Sequence, residues 1–413
     1  MNILLLASNY PYSGHRFAGI FNERSAEALK EHCESLSVLA PRPYIPRFLS
    51  SILPVTRWME YAEAESHSVC NDIAVYRPPY PQVPGIASAF WQTYCAYLFS
   101  RRTAWRLHAT RRFDAILSFG LSSAGGVAWR LARDLKIPAA GWATGSDVRQ
   151  SIGTASHSAL CTTLENLDLV FYQSRELFDL AAKFLAHNSC AHEPNKNIVL
   201  ARGITQPPQL PKREVRERER RTLGISDEDA VVVFVGRVTR SKGVLELIEA
   251  MTLAVSRNSR LRCLIVGSKP SFDDTTLLQN RLDKIPEVRR HITILPECDP
   301  EKVWDYLCAA DIFAFPSHNE GMPNSLLEAM SMEVPCVACA IPPLTELEAG
   351  TGAVSLVPPF NTRLFGEAIV RLTESKTLRE QLGRMGKQRV MDGFMIRKNM
   401  AKACYHLARI VHE

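Results

Sequence analysis

Short apolar runs recur along the chain, each followed by a stretch long enough to form a helix. "NILLLAS", "SLSVLA", "DAILSFG", "AAGWATG", "LVFYQS" and "NIVLARG" fall before residue 204, and "VVVFVG", "LRCLIVG", "HITIL", "IFAFP", "PCVACA" and "AVSLV" follow residue 220. The runs are continuously apolar rather than alternating, as expected of parallel strands covered on both faces. Helical stretches such as "VLELIEAMTLAV" lie between them. The pattern therefore predicts an α/β chain of two Rossmann-like, doubly wound βα domains. Between the two series, "GITQPPQLPKREVRERERR" joins prolines to dense mixed charge, the composition of a solvated connection. The hinge is expected near residues 204–212. The expected domains are 1–205 and 206–396, with a closing helix at 397–413 packing back on the first.

A chain of 413 residues exceeds what one core usually serves, and 46% hydrophobic with 22% charged residues is ordinary globular material. A formal charge of +6 suits a phosphate-bearing partner or an anionic lipid surface, but it is small for this length. The run "REVRERERR" alternates in sign, which predicts an exposed helix laced with ion pairs rather than a nucleic-acid patch. Eleven cysteines form no framework spacing, which predicts a reducing cytoplasm and no disulfide scaffold. Cys336 and Cys339, a lone CxxC in "VPCVACA", read as buried strand thiols rather than as half of a zinc site. The opening "MNILLLASNYPYSG" lacks a basic segment ahead of its apolar stretch, so no signal peptide is expected. No apolar run approaches the ~18 residues of a spanning helix, so any membrane contact is expected to be peripheral. Residues 42–110 mix Trp58, Phe90, Trp91, Tyr94, Tyr97, Phe99 and Trp105 with Arg47, Arg57, Arg101, Arg102 and Arg106. Two readings stand: an amphipathic surface meeting lipid headgroups, or a helix packing its aromatic face on a core, the second being the commoner case.

In open α/β sheets ligands bind beyond the carboxyl ends of the strands. After "VVVFVG" come Arg237 and Lys242, two cations spaced to clamp a diphosphate and to meet the charge growing on a departing one. After "IFAFP", the stretch "SHNEGMPNSLLEAM" sets Glu320 and Glu328 on either side of a bend that opens into a helix. Ser325 and Glu328 fit a capping box, which leaves Glu320 unexplained. Free amides at a helix start attract phosphate, and flanking carboxylates suit sugar hydroxyls. Together these elements describe a nucleotide sugar. Asp227, Glu228 and Asp229 resemble a metal-binding DxD string but precede their strand, so they read as turn residues. His318, a lone loop histidine, is not assigned a role.

The motifs "GRVTRSKG" and "FPSHNEGMPNSLLEAM" followed by "VPCVA" resemble retaining glycosyltransferases of the family 4 type, whose glutamates are separated by seven residues as Glu320 and Glu328 are. The resemblance implies the GT-B architecture, two Rossmann-like domains facing a cleft, with an acceptor-binding first domain and a donor-binding second. It implies that Arg237 and Lys242 bind the donor pyrophosphate, that Glu328 bonds the ribose, and that Glu320 faces the transferred sugar. The amides of Gly321, Met322, Asn324, Ser325 and Leu326 would complete the phosphate cradle. In the first half, Gly19 in "SNYPYSGHRFAGIF" matches a glycine that lets the backbone approach the phosphate, with Gly14 the second choice. Asp147 in "GWATGSDVRQ" matches the family's HGxD-like loop, and the resemblance places it with Glu320, Arg237 and Lys242 among the catalytic residues. Thr144 stands where many members carry histidine, and Pro342 and Pro343 replace a usual glycine pair before Glu346.

The implied reaction transfers a sugar with retention and without a metal or cofactor. Its partners are a nucleotide-diphosphate sugar and a saccharide or lipid-linked saccharide. The implied setting is bacterial polysaccharide assembly in the cytoplasm or at the inner face of its membrane, with no nucleic acid involved. A nucleotide-sugar epimerase of the same fold and a non-catalytic nucleotide-sugar-binding protein are the alternatives. A dehydrogenase is disfavoured because neither half offers GxGxxG after its first strand.

Overall fold

The computed structural model describes the chain apart from residues 45–63, 83–88, 150, 153, 155–156, 189, 191–192, 271–272 and 413. Arg47, Arg57 and Trp58 of the aromatic and basic segment lie outside the described residues. The chain forms two compact units: Met1–Arg202 together with Ile396–Glu413, and Gly203–Met395.

The first unit contains β1 (Asn2–Ala7), β2 (Ser35–Leu39), β3 (Arg42–Tyr44), β4 (His67–Cys70), β5 (Ile73–Tyr76), β6 (Pro79–Pro81), β7 (Ala115–Phe119), β8 (Ala139–Ala143), β9 (Leu169–Tyr172) and β10 (Asn197–Val199). Eight of them form one sheet in the order β10-β9-β8-β7-β1-β2-β5-β4, while β3 and β6 pair separately. Pairing in the large sheet is parallel except for β4 against β5. All six apolar runs noted before residue 204 are strands of this sheet. β3 to β6 were not legible as strands, because they are three or four residues long and only partly buried.

Both sheet faces are covered, as continuous apolar runs require. Leu4 and Leu6 of β1 pack into one core, and Ile3, Leu5 and Ala7 into the other. The second core is closed by the C-terminal helix Ile396–His412, which contributes Ile396, Met400, Ala403 and Leu407. Asn399 of that helix donates through Nδ2 to the Ala201 carbonyl at 2.9 Å.

The second unit contains β11 (Ala230–Val235), β12 (Leu261–Ser268), β13 (Ile292–Pro296), β14 (Ile312–Phe315), β15 (Cys336–Cys339) and β16 (Ser355–Val357). They form an all-parallel sheet in the order β13-β12-β11-β14-β15-β16. Cys336 and Cys339 are buried in β15 as expected, and burial pushes the Cys339 thiol up to about 12.

Two expectations are corrected. The charged helix Lys212–Thr222 is not a solvated rod: Val215, Glu219 and Arg220 are buried, and it packs on the helix Pro300–Ala309. Arg216 and Arg220 both reach Asp311, each at 2.6 Å, so these charges tie the helix to the sheet rather than only to each other. An alternating charge run does not reveal which of its members have a partner elsewhere in the chain. The cysteines form no scaffold, yet Cys161 and Cys190 are bonded to each other across Cα atoms 6.3 Å apart. Their separation of 29 residues matched no framework spacing, and they meet only in the fold, where Cys161 lies in the first core and Cys190 packs against it.

Candidate active site

The strand order of the second unit reverses between β11 and β14, and a crevice opens at the carboxyl ends of strands where such a reversal occurs. The two loops that issue there are those carrying the predicted chemistry. Backbone contacts hold them together: His318 donates its amide to the Ser241 carbonyl at 3.0 Å, and the Ser317 hydroxyl donates to the same oxygen at 3.3 Å. Gly243 makes this closeness feasible. Its φ is 71°, and a Cβ there would stand 2.1 Å from the Pro316 carbonyl oxygen, so no other residue fits without moving the loop.

The clasp brings Lys242 and Glu320 together, with Nζ and Oε1 2.5 Å apart. The Glu320 side chain is 9% exposed and that of Lys242 22%, so the pair is screened far less than a surface pair would be. Arg237 shares the first loop but is exposed, and its side chain makes no hydrogen bond or ion pair among the described residues. Of the two predicted cations, one is held in place by a carboxylate and the other is left to solvent.

The helix beyond the bend runs from Asn324 to Ser331 with Pro323 as its N-cap, and no side chain caps it. The capping box expected of Ser325 and Glu328 does not form, because Ser325 already lies inside the first turn. Leu327 is the first residue bonded within the helix, to the Pro323 carbonyl at 3.2 Å. The amides of Asn324, Ser325 and Leu326 donate to no acceptor among the described residues, which leaves the first turn as a ready anion cradle. Gly321 and Met322 lead into it, half-buried, and Glu328 sits half-buried on the helix.

His318 stacks on Phe360 with ring centroids 3.9 Å apart, and its Nε2 lies 3.2 Å from Glu246 Oε1. Phe360 has φ 62° and is exposed. Sequence reasoning assigned neither residue a role, and a phenylalanine in the left-handed region carries no signal in a sequence. Pro342 and Pro343 open the helix Pro342–Glu348, where proline at the first positions suits a helix start. Asp229 of the acidic string accepts from Arg262 at 3.2 Å and from the Ser226 amide, a structural use in the turn before β11.

In the first unit the strand order reverses between β1 and β7. Gly19 caps the helix Ile20–Lys30 with φ 73°, and a Cβ there would stand 2.5 Å from the Asn9 carbonyl oxygen. The chain's own loop therefore demands this glycine. Asp147 is buried, and its carboxylate collects the backbone amides of Leu121 (2.8 Å), Thr144 (3.0 Å), Gly145 (2.9 Å) and Val148 (3.0 Å). It thereby ties the loop after β8 to the one after β7.

Arg202 was not anticipated. It is buried just beyond β10, donates to Asn22 Oδ1 at 2.8 Å, and lies over the rings of Phe21 and Phe119. Burial lowers its pKa to about 10, against the pull of Asp147. The only available signal was its position at the end of the run "NIVLARG".

The chain is similar to known proteins in sequence and in fold. Residues 215–389 match the family model described as glycosyl transferases group 1. The chain is 27% identical over 98% of its length to the putative teichuronic acid biosynthesis glycosyltransferase TuaC of Bacillus subtilis (strain 168), covering 97% of that protein. It is also 27% identical to the capsular polysaccharide biosynthesis glycosyltransferase CapM of Staphylococcus aureus, over 48% of this chain and 52% of that one. Among solved structures, sucrose-phosphate synthase from Thermosynechococcus elongatus matches with TM-score 0.73 at 18% identity, over 100% of this chain and 99% of that one. Anabaena HepE in complex with UDP-glucose matches with TM-score 0.71 at 15% identity, over 99% of each. The second unit thus resembles glycosyl transferases group 1 over residues 215–389, and the whole chain shares its GT-B fold with these solved structures.

Proposed function

We propose that the protein is a retaining, metal-independent hexosyltransferase. It moves a sugar from a nucleotide-diphosphate sugar to a saccharide or lipid-linked saccharide, in bacterial polysaccharide biosynthesis at the inner face of the cytoplasmic membrane. The observation that carries this reading is the Lys242–Glu320 pair at the β11/β14 reversal, beside the unbonded amides of the helix start. The names of the relatives support the polysaccharide setting, and the UDP-glucose complex of a structural neighbour supports the donor class.

On this reading the donor diphosphate lies on the amides of Asn324, Ser325 and Leu326, and Lys242 and Arg237 meet its charge. Glu328 bonds the ribose, and Glu320 accepts from a hydroxyl of the transferred sugar. The bond from the anomeric carbon to the diphosphate oxygen breaks with its electron pair leaving on that oxygen. The acceptor hydroxyl attacks from the same face, and its proton passes to the departing phosphate. Preorganised cations and amides aimed at this developing charge supply the largest share of the stabilisation.

The deciding experiment follows transfer from a panel of nucleotide sugars, with and without EDTA, in wild type and Glu320→Ala. The proposal expects slow donor hydrolysis without acceptor, transfer insensitive to chelation, and a variant that still binds nucleotide but barely turns over. Isomerised donor in place of hydrolysis or transfer would instead make the protein an epimerase. Binding without turnover of any donor would make it a non-catalytic protein.

A further inference from the structure

The helix Ala89–Thr110 presents an apolar and cationic ridge to solvent, and the geometry points to this ridge as a docking surface for an anionic bilayer. Trp91, Leu98 and Trp105 are 55%, 43% and 46% exposed. They are spaced by seven residues, so each lies within about 20° of the last around the helix axis and the three form one line. The opposite side is spent on the fold: Thr93, Ala96, Tyr97, Ser100 and Ala104 are buried, the helix packs on Gly126–Leu135, and the Tyr97 hydroxyl donates to Asp134 at 2.8 Å. The protein thus buries one face of this helix and leaves large apolar side chains on the other.

Charge identifies the occupant. Residues 73–113 contain no Asp or Glu, whereas Arg101, Arg102, Arg106, Arg111 and Arg112 are exposed along or just beyond the ridge. Asp134 engages Arg101 at 2.8 Å, while the side chains of Arg102 and Arg106 make no hydrogen bond or ion pair among the described residues. The charged helix Lys212–Thr222 shows the contrast, since four of its five arginines are matched by carboxylates. Unmatched arginines interleaved with tryptophans at one depth suit a headgroup layer, in which indole rings settle at the interface and guanidinium groups meet lipid phosphates. A partner protein would match the arginines with carboxylates and exclude water from the centre of the patch, whereas these cations run along the same line as the apolar groups. No helix of the described residues is long and apolar enough to cross a membrane, and the ridge implies adsorption instead. The inference rests on the proposed lipid-linked acceptor only for its purpose.

The test scores vesicle binding without donor or acceptor, so its outcome is independent of transfer. The full-length protein is sedimented with vesicles of phosphatidylethanolamine and phosphatidylglycerol, and with vesicles of phosphatidylcholine alone. Binding to the first and not the second is expected, weakening steeply as salt shortens the Debye length. The triple substitution Trp91→Ser, Leu98→Ser, Trp105→Ser should lower partitioning on the order of a hundredfold. Arg102→Gln with Arg106→Gln should lower it about fivefold per arginine. Because the triple variant removes surface side chains only, its thermal unfolding should match wild type. Should it fail to fold, quenching of wild-type tryptophan fluorescence by brominated lipid reads the same contact. Equal binding by wild type and the arginine variant, or no binding and no quenching at all, overturns the inference. So does a wild-type dimer, dissolved by the triple substitution, that ignores vesicles, which would make the ridge an interface between copies of this chain.

Discussion

Two carboxylates, Asp147 in the first unit and Glu320 in the second, occupy corresponding places beyond the carboxyl ends of parallel strands, yet their surroundings differ in kind. Asp147 is saturated by four backbone amides, so it has little capacity left for a substrate. Glu320 pairs with a flexible ammonium group at 2.5 Å, a partner that can turn to a diphosphate when one arrives. A carboxylate bound by main chain holds loops together. One bound by a lysine can exchange partners, and exchange is what a donor site requires. On the proposed function, the first unit uses its acid to tie loops together and the second keeps its acid for chemistry.

The largest effect that could break this contrast concerns turnover. Lys242→Ala and Glu320→Gln should each lower kcat/KM by about 10²–10³-fold, the usual cost of one preorganised charge-stabilising group, while the unfolding midpoint in urea moves little. Asp147→Asn should do the reverse. Replacing one accepting oxygen with an NH2 group facing amides should cost about 3 kcal/mol of stability, measured by urea denaturation, with turnover per folded molecule nearly kept. A hundredfold loss of turnover in Asp147→Asn at unchanged stability would abolish the distinction.

Gly243→Ala comes next. The left-handed backbone alone costs about 1–2 kcal/mol for a residue with a Cβ, and the contact with Pro316 would push the two loops apart. Both the unfolding midpoint and nucleotide affinity should fall together.

The smallest effect tests a third kind of buried carboxylate. Glu23 accepts from the Cys70 thiol at 2.7 Å, and burial holds its pKa above the usual 4.5, with the thiol bond opposing and Glu27 reinforcing the rise. The folded state therefore binds this proton more tightly than the unfolded chain, and its contribution to stability is lost as pH rises through the folded pKa. Glu23→Gln should raise the thermal midpoint slightly at pH 7, and the gain should vanish below pH 4.5. A gain that persisted in acid would mean the residue acts through packing alone.

Much of this was legible before folding. Every central strand was marked by its apolar run, because a strand buried on both faces has no polar position to spare. The short strands β3 to β6 were not, since partly buried segments of three or four residues tolerate almost any residue. Glu320, Lys242 and Arg237 were singled out by their place after strands and by a family resemblance. Arg202, Phe360 and the Cys161–Cys190 pair were not, because each acquires its meaning from a neighbour distant in the chain.

The sequence alone determined the two mostly parallel sheets and marked the loops to which the proposed chemistry is assigned, because periodicity, glycine placement and strand burial are local properties. Only the tertiary structure decided which acid meets a lysine, which is consumed by amides, and which arginines have no carboxylate partner. Those outcomes depend on three-dimensional proximity between residues tens to hundreds of positions apart, such as Lys242 and Glu320 or Asn22 and Arg202, and no local pattern encodes it.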